Sequence, residues 1–336
     1  MKRLIYVMTL LLVMVLTMGS CVDEETFDNT QQGNFEALWK IMDEHYCFFD
    51  YKKEECGVDW NEVYTRYKPM VNGANTEQLF EVLARMVGEL KDGHVNLGSS
   101  FNLGRNWSWK EDYPTNYSDT LCNKYMGTDY RIASGIYYRI LDDNIGYMRV
   151  STFGYDFGDG NLDEILMHFI ACRSIIIDIR ENGGGLVTAS ERLASRFTNS
   201  AIHVGYMQHK TGKGHNDFSD LEDVVLKPSA NMRWQKPVFV LTNRGVFSAA
   251  NEFVMYMKQC PNVTIIGDKT GGGAGMPFTS ELPNGWTVRF SAVPMYDVDK
   301  KSTEHGIEPD IYCSITDEDF HRGVDTIIEK AREMTK

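Results

Sequence analysis

Positive charge is scarce in this chain, and the scarcity limits what the protein can bind. Its 336 residues include 34 Lys and Arg against 47 Asp and Glu, which gives a formal net charge of −13. Nucleic-acid binding depends on cationic contacts to phosphate, so nucleic acid is not predicted as a partner. Beyond the amino terminus no apolar run is long enough for a membrane span. The sequence also has no internal repeat, no P-loop ending in Lys-Ser or Lys-Thr, and no dinucleotide-binding glycine fingerprint.

The amino terminus has the pattern of an export signal. Two basic residues precede an apolar stretch over 4–16, and small residues stand directly before Cys21. This pattern predicts a signal peptide over 1–20, and it resembles the lipobox of bacterial lipoproteins, in which the cysteine becomes the lipidated amino terminus. We therefore expect residues 21–34 to be a tether and Cys21 to anchor the protein in the cell envelope, at the outer membrane. An ordinary cleaved signal with an incidental cysteine is the alternative.

The remainder of the chain divides by its hydrophobic periodicity. Over 35–97 apolar residues recur at three- and four-residue spacing, which predicts an amino-terminal helical subdomain. Over 98–336 a loop-rich stretch is followed by alternating strands and helices, which predicts an α/β core with parallel strands. We expect a hairpin over 136–150 and one amphipathic closing helix over 317–334. The polar stretch 203–233 has no predicted element.

Ser248 stands where a predicted buried strand ends and an apolar-periodic helix begins. The first N–H groups of that helix, with the positive end of its dipole, would lie beside the serine and could stabilise negative charge developing on a reacting group. Ser248 is therefore a candidate nucleophile. Serine is also a common helix cap, and this segment alone does not separate the two interpretations.

Two glycine runs follow other strands of the predicted sheet. One covers positions 183–185 and the other begins directly after Thr270. Ligand sites of open α/β sheets gather at the carboxyl ends of the strands. The first run could be a phosphate-binding turn, a turn without a ligand, or an oxyanion hole. The residues expected to line one cleft are Gly183, Gly184, Ser248, Thr270 and Gly271.

A serine nucleophile needs a base, and histidine is the usual one. His94 follows a glycine at the exit of a predicted helix, where its side chain could project into a cleft, although a surface turn is the alternative. Glu304 is the best candidate for a carboxylate that orients the base, or else it is a loop charge. His305 beside it is a rival base. A metal site is not predicted for the three histidines of the polar stretch, His203, His209 and His215.

Five segments together resemble the C-terminal processing peptidase family of serine proteases, also called tail-specific proteases, and especially its tricorn core branch. In chain order these are Asp92-Gly93-His94, Asp178-Ile179-Arg180 with its glycine run, Ser248-Ala249-Ala250-Asn251-Glu252, Gly267-Asp268-Lys269-Thr270-Gly271-Gly272 and Gly306-Ile307-Glu308-Pro309-Asp310. The resemblance covers the chain from about residue 35 to its end. It implies a crotonase-like core of ββα units and hydrolysis of peptide bonds.

The resemblance also implies roles for individual residues. The oxyanion hole would be formed by the N–H of Ala249 and that of Gly183 or Gly184. In the processing branch a lysine base lies three residues after the threonine of the second glycine segment, but here that position is Gly273. The resemblance therefore implies the tricorn-like Ser-His-Glu arrangement, with Ser248 as nucleophile, His94 as base and Glu304 as its orienting acid. This chain has Gly93 where the tricorn pattern has a serine.

The predicted function is that of a serine-type endopeptidase acting on exported or extracellular proteins and peptides, with no metal or organic cofactor. Many relatives carry a PDZ domain between the histidine motif and the Asp-Ile-Arg strand, but that interval is too short for one here. Substrate selection is then expected from an aromatic loop around Trp107, Trp109 and Tyr113, or from the polar stretch. The alternative is a non-catalytic module that holds a peptide or an apolar ligand in the same cleft.

Overall fold

A group of helices forms the amino-terminal part of the protein in the computed structural model, which describes residues 26–105 and 113–335. Phe35, Leu38 and Met42 recur at helical spacing and are fully buried, so the apolar periodicity corresponds to a packed helix face. The helices here are α1 (Gln31–His45), α2 (Phe49–Cys56), α3 (Trp60–Tyr67) and α4 (Thr76–Gly88).

Helix α4 leads directly to His94. It begins with a capping box, because the Asn75 side chain accepts from the Gln78 N–H and the Gln78 side chain accepts from the Asn75 N–H. After the helix ends, Lys91 adopts a left-handed conformation with φ 46°. The chain therefore turns sharply before it reaches the Asp92-Gly93-His94 segment.

The strands within the described ranges form two sheets. In chain order they are β1 (Asn96–Gly98), β2 (Leu103–Arg105), β3 (Arg131–Ala133), β4 (Ile136–Ile140), β5 (Ile145–Arg149), β6 (Ser174–Asp178), β7 (Ile202–Met207), β8 (Glu222–Leu226), β9 (Val238–Thr242), β10 (Val263–Gly267), β11 (Gly275–Glu281), β12 (Thr287–Tyr296) and β13 (Ile311–Tyr312). The main sheet has the order β13-β10-β9-β6-β5-β4-β3, and its strands from β13 to β5 are parallel.

Helices cover both faces of the main sheet. On β9, Val240 faces the core shared with α6, α7 and α8, whereas Leu241 faces the core shared with α5 and α10. Burial on both faces explains why the strands are continuous apolar runs. The helices of this part are α5 (Asp119–Met126), α6 (Asp159–His168), α7 (Val187–Ala194), α8 (Ala249–Lys258), α9 (Asp317–His321) and α10 (Thr326–Glu333).

The second sheet connects the amino-terminal helices to the rest of the protein. Its order is β2-β1-β12-β7-β8, with β11 paired to β12. Strand β1, which begins two residues after His94, pairs with β12 so that Asn96 lies opposite Arg289. Trp286, Val288 and Phe290 also belong to the hydrophobic core of α1 to α4. The histidine segment is thus held between the helices and a long strand.

The predicted α/β class is confirmed, and the hairpin expected over 136–150 corresponds to β4 and β5. Two local expectations are wrong. The closing segment is two helices rather than one, because the chain turns between them at Gly323, which has φ 69°. The polar stretch 203–233 contains the paired strands β7 and β8; β8 lies at the sheet edge with much of its surface exposed, so it lacks the apolar run of a buried strand.

A buried ion network fixes the end of β6. Arg180 has no solvent exposure and contacts Asp178 at 2.6 Å and Asp325 at 2.9 Å. Tyr147 donates a further hydrogen bond to Asp178. Removing any one of these charged side chains would leave another buried charge without its partner, which is costly. The Asp-Ile-Arg motif therefore fixes the end of β6, and the first glycine run begins just after it.

No helix in residues 26–105 or 113–335 has the length and apolar character needed to cross a bilayer. The predicted signal over 1–20, Cys21, Trp107 and Trp109 lie outside the described residues. Tyr113 is described, and its ring lies 4.2 Å from the Arg244 guanidinium carbon.

Candidate active site

Ser248 occupies a strained turn between β9 and α8. Its backbone has φ 58° and ψ −126°, a conformation that side-chain-bearing residues rarely adopt. Its N–H donates to the Gly272 carbonyl at 2.8 Å, and its side chain forms no capping bond to α8. The helix-cap interpretation is therefore wrong, because the turn directs the hydroxyl away from the helix.

His94 lies against that hydroxyl. Its Nε2 is 3.0 Å from Ser248 Oγ, and its ring packs 4.8 Å from the ring of Phe247. His94 is buried, and burial lowers its pKa to about 4, although Asp92 acts in the opposite direction. The imidazole is therefore neutral at pH 7 and has a lone pair available to accept a proton.

Asp92 fixes the His94 segment through hydrogen bonds. Its Oδ1 accepts from the His94 N–H at 2.7 Å, and its Oδ2 accepts from Tyr46 and Ser291 hydroxyls at 3.0 Å and 2.9 Å. Asp92 is almost completely buried. Tyr46 caps the end of α1 and Ser291 lies on β12, so Asp92 joins the histidine backbone to both and fixes the direction in which the imidazole leaves the chain.

Glu304 is buried in the same region but does not contact His94 directly. Its Oε1 faces Lys52 Nζ at 3.3 Å and its Oε2 accepts from the Ala274 N–H at 2.9 Å. His94 Nδ1 is buried and has no hydrogen-bond partner among the described residues. The direct Glu304–His94 contact expected from the sequence is thus not formed, and the two carboxylate oxygens face Lys52 and Ala274 instead.

Lys52 and Glu304 influence each other electrostatically. Burial raises the pKa of Glu304, Asp92 raises it further, and Lys52 opposes both. Burial acts to lower the pKa of Lys52, but Glu304 and Asp92 outweigh it and the pKa lies above the ordinary lysine value. Lys52 is therefore the cation of a cluster in which it faces two carboxyl groups.

His305, the rival base, lies elsewhere. Its ring lies tilted against that of Tyr51, with the ring centroids 5.0 Å apart, and its carbonyl accepts from Arg244. Burial is the largest cause that lowers its pKa, to about 4. The histidine within hydrogen-bond distance of Ser248 Oγ is His94, so the geometry favours His94 over His305 as the base.

The first glycine run lies against the nucleophile. A side chain on Gly184, which has φ 95°, would come within 2.8 Å of Ser248 Cβ, so only glycine fits. The Gly184 N–H donates to Asn182 Oδ1 and is not available to a substrate. Within the described part of the chain, the N–H groups of Gly183 and Ala249 show no acceptor. These two are therefore the remaining candidates for the oxyanion hole.

The second glycine run lies in a loop that packs against neighbouring segments of the site. Thr270 is fully buried, where its hydroxyl donates to Asn251 and accepts from the Ile307 N–H. Gly271 donates its N–H to Val246. The expectation that Thr270 and Gly271 line the cleft is not met, because both are used in joining this loop to its neighbours.

A cleft of about 680 Å³ opens over the serine and histidine. Its lining includes Ser248, His94 and Gly183, together with Arg105 and Arg289. This volume lies within the range of small-molecule and cofactor sites, so a stretch of peptide can lie across the two side chains. The three histidines of the polar stretch do not share one site, since each faces a different carboxylate, namely Asp223, Glu222 and Asp43.

Comparison with known proteins gives the family. The sequence matches the profile of peptidase family S41 over residues 144–313, about half of the chain, and that of the tricorn protease C1 domain over 27–88. The chain belongs to peptidase family S41. The predicted resemblance to C-terminal processing peptidases is thereby confirmed at the level of the family.

Individual S41 relatives differ in how much of the chain they share. A crystal structure from Parabacteroides merdae, provisionally named a peptidase, is 51% identical, covers 92% of this chain and 97% of its own, and has a TM-score of 0.87. The carboxy-terminal processing protease CtpA of Bacillus subtilis is 24% identical over 184 residues, 54% of this chain and 38% of CtpA. Mature CPAF complexed with lactacystin is similar in fold, with a TM-score of 0.70 at 13% identity over 91% of this chain and 97% of its own. This chain spans roughly a third of the length of the curated relatives that it matches.

In this S41 chain there is no space for a side chain at position 273, where the processing branch has its lysine base. Gly273 has φ 78°, and a side chain there would come within 2.4 Å of the Phe247 ring. The same ring packs on His94. The structure thus gives a physical reason why a lysine at 273 cannot be accommodated next to the histidine.

Several residues around the S41 site were not found from the sequence. Lys52 lies on α2 in a segment with no motif, and Asn182 was only part of the first glycine motif. Asn182 accepts the Gly184 N–H through its side chain and the Phe247 N–H through its carbonyl. The Lys52–Glu304 and Asn182–Phe247 contacts join segments distant in the chain, and a single sequence carries no signal for such contacts.

We expect Gly184→Ala to slow the reaction of Ser248 with a fluorophosphonate by about 100-fold or more, since a displacement of about 1 Å can have that effect on catalytic geometry. The rate is measured by following labelling of the purified protein over time. Gly160→Ala is the matched control, because the added methyl group there meets no atom within 4 Å. A Gly184→Ala protein that is labelled at the wild-type rate would show that this close contact is unimportant.

Proposed function

We propose that this S41 protein is a serine endopeptidase of exported or extracellular proteins and peptides, with Ser248 as nucleophile and His94 as general base. The observation that carries the proposal is the 3.0 Å contact between Ser248 Oγ and His94 Nε2. The neighbouring N–H groups of Gly183 and Ala249 add the donors that acyl transfer requires. Serine peptidases use this combination of groups around one point, namely a hydroxyl, a neutral imidazole and two amide donors.

In the acylation step Ser248 Oγ forms a bond to the carbon of the scissile carbonyl while its proton passes to His94 Nε2. The carbonyl oxygen takes the negative charge and accepts hydrogen bonds from Gly183 and Ala249. The first turn of α8 adds its positive dipole end at the same place. Collapse of this intermediate breaks the C–N bond, and His94 returns the proton to the leaving amine.

In the deacylation step water replaces the amine. The water loses a proton to His94 Nε2 as its oxygen bonds to the ester carbon, and the oxyanion forms at the same two donors. When the bond to Ser248 breaks, His94 gives the proton back to Oγ. The product leaves with a new carboxyl terminus, and both side chains return to their initial protonation states.

In this proposal Glu304 acts on His94 indirectly, through the charges around the imidazole. It pairs with Lys52 and accepts from the Ala274 N–H, and the nearby charge of Asp92 raises the pKa of Glu304. We propose that Glu304 sets the charge of the cluster beneath the imidazole. Asp92, which favours the protonated state of His94, stabilises the imidazolium that each step forms.

A fluorophosphonate probe tests the assignment of the nucleophile. We expect the wild-type protein to be labelled on Ser248, Ser248→Ala to show no labelling, and both proteins to have the same circular dichroism spectrum. Because Ser200 is exposed on the loop before β7 and does not line the cleft, Ser200→Ala serves as the control and should be labelled like the wild type. If the folded wild-type protein is not labelled, the non-catalytic binding module is the better description.

We propose further that the protein is exported and anchored in the outer membrane through a lipid on Cys21. The support is the apolar stretch over 4–16 that precedes Cys21, and the short separation between Cys21 and helix α1, which begins at Gln31. A chain of this length can hold the domain close to a membrane surface.

Metabolic labelling with an alkyne fatty acid tests the anchor. We expect the wild-type protein to carry the label and to sediment with outer membranes, whereas Cys21→Ser should lose both properties. Cys56→Ser is the control, because Cys56 is a half-buried free thiol of the folded domain. Unlabelled wild-type protein in the soluble fraction would leave an ordinary cleaved signal as the explanation.

A further inference from the structure

A second, smaller cavity of about 80 Å³ opens beside Ser248. Besides the nucleophile, its lining includes Glu252 and three methionines, Met255, Met276 and Met295. A single water needs roughly 10–15 Å³, so the cavity has room for a narrow side chain rather than for a bulky one. Its walls are mostly apolar, with the three flexible methionines among them, and they carry one carboxylate, Glu252, and one guanidinium, Arg289.

The carboxylate is aligned with the nucleophile along helix α8. Glu252 follows Ser248 by one helical turn, about 5.4 Å along the axis, and its N–H donates to the Ser248 carbonyl at 3.0 Å. Residues four apart lie on the same helix face. A substrate side chain that leaves the backbone next to the scissile bond and enters the cavity would thus meet Glu252.

Glu252 has no cationic partner in the described part of the chain. One of its oxygens accepts a hydrogen bond from Tyr256 at 2.5 Å, and no lysine or arginine forms an ion pair with it there, although Arg289 lines the same cavity. Burial raises its pKa to about 7. Arg289 is not among the groups that shift this pKa, so it does not serve as the counter-charge. A buried carboxylate without a counter-charge is costly, so a cation that reaches Glu252 would be stabilised there.

We infer that this cavity is the specificity pocket for the residue on the amino side of the scissile bond, and that it selects lysine or arginine. The inference rests on the proposed peptidase function. An unbranched aliphatic stem fits against the methionines while its charged end reaches Glu252. A neutral side chain of the same length would leave the carboxylate unpaired.

The test compares peptides that differ only at this position, with lysine, arginine, norleucine or glutamate. Norleucine matches the lysine stem without its ammonium group. We expect kcat/KM for lysine to exceed that for norleucine by about 10-fold or more, which corresponds to one charge-assisted hydrogen bond. Glu252→Gln, which keeps the shape of the side chain, should bring the lysine-to-norleucine ratio close to one.

Glu191→Gln is the matched control. Glu191 is exposed on α7 and is the other carboxylate that raises the pKa of Glu252, but it does not line the cavity. This variant should keep the wild-type lysine-to-norleucine ratio. A preference lost equally in Glu191→Gln and Glu252→Gln would mean that diffuse negative charge, rather than the cavity, selects the substrate, and would overturn the inference.

A second measurement needs no variant and covers the case in which Glu252→Gln does not fold. The titratable groups that act on Glu252 are Tyr256 on its own helix and Glu191 on α7, and Arg289 on β12 lines the same cavity. Because its carboxyl ionises as pH rises, the lysine-to-norleucine ratio of the wild-type protein should increase between about pH 6 and pH 8. The titration of His94 affects both peptides equally and cancels in the ratio.

The outcomes distinguish failure of the proposed peptidase function from failure of the pocket assignment. Wild-type protein that neither reacts with a fluorophosphonate nor cleaves any peptide would remove the peptidase function, and the pocket assignment with it. Protein that is labelled and cleaves norleucine or glutamate peptides at least as fast as lysine peptides would overturn the pocket assignment alone. A Glu252→Gln protein that keeps the lysine preference, or a ratio that does not change with pH, would do the same.

Discussion

The hydrogen bond between His94 and Ser248 joins two segments that are 154 residues apart in the chain, and the chemistry of the site depends on it. Neither side chain reaches the other through local structure. His94 is directed by Asp92, which ties the histidine segment to α1 and β12. Ser248 is directed by its strained backbone, which is held by the Gly272 carbonyl. The packing of the helices against the second sheet therefore decides whether the site exists.

Electrostatics then decide what this contact can do. Burial keeps the imidazole neutral, whereas Asp92 favours and Arg289 disfavours its protonated form. A neutral His94 has its lone pair available for the serine proton at physiological pH, and Asp92 limits the cost of the imidazolium that follows. Lys52 offsets part of the negative charge of the carboxyl groups near His94. These carboxyl groups can therefore remain buried and still act on the histidine.

The sequence was sufficient to identify the segments but not all of their contacts. Ser248, His94 and the first glycine run could be found because each sits at the end of an apolar element, and apolar periodicity is visible in one sequence. Glu304 and Thr270 were placed in the right region with the wrong neighbours. Their actual partners, Lys52 and Asn251, come from distant elements. The strand β8 was missed because an exposed edge strand does not need an apolar run.

The pH dependence of the reaction between Ser248 and a fluorophosphonate tests the central claim most directly. His94 accepts the serine proton only when it is neutral, and its lowered pKa makes it neutral above about pH 4. We expect the labelling rate to reach half of its maximum near pH 4 and to remain constant through pH 7, and we expect His94→Gln to react slowly at every pH. A midpoint near 6.5, the ordinary histidine value, or a His94→Gln protein as reactive as the wild type, would contradict the role of a buried neutral His94 as the base.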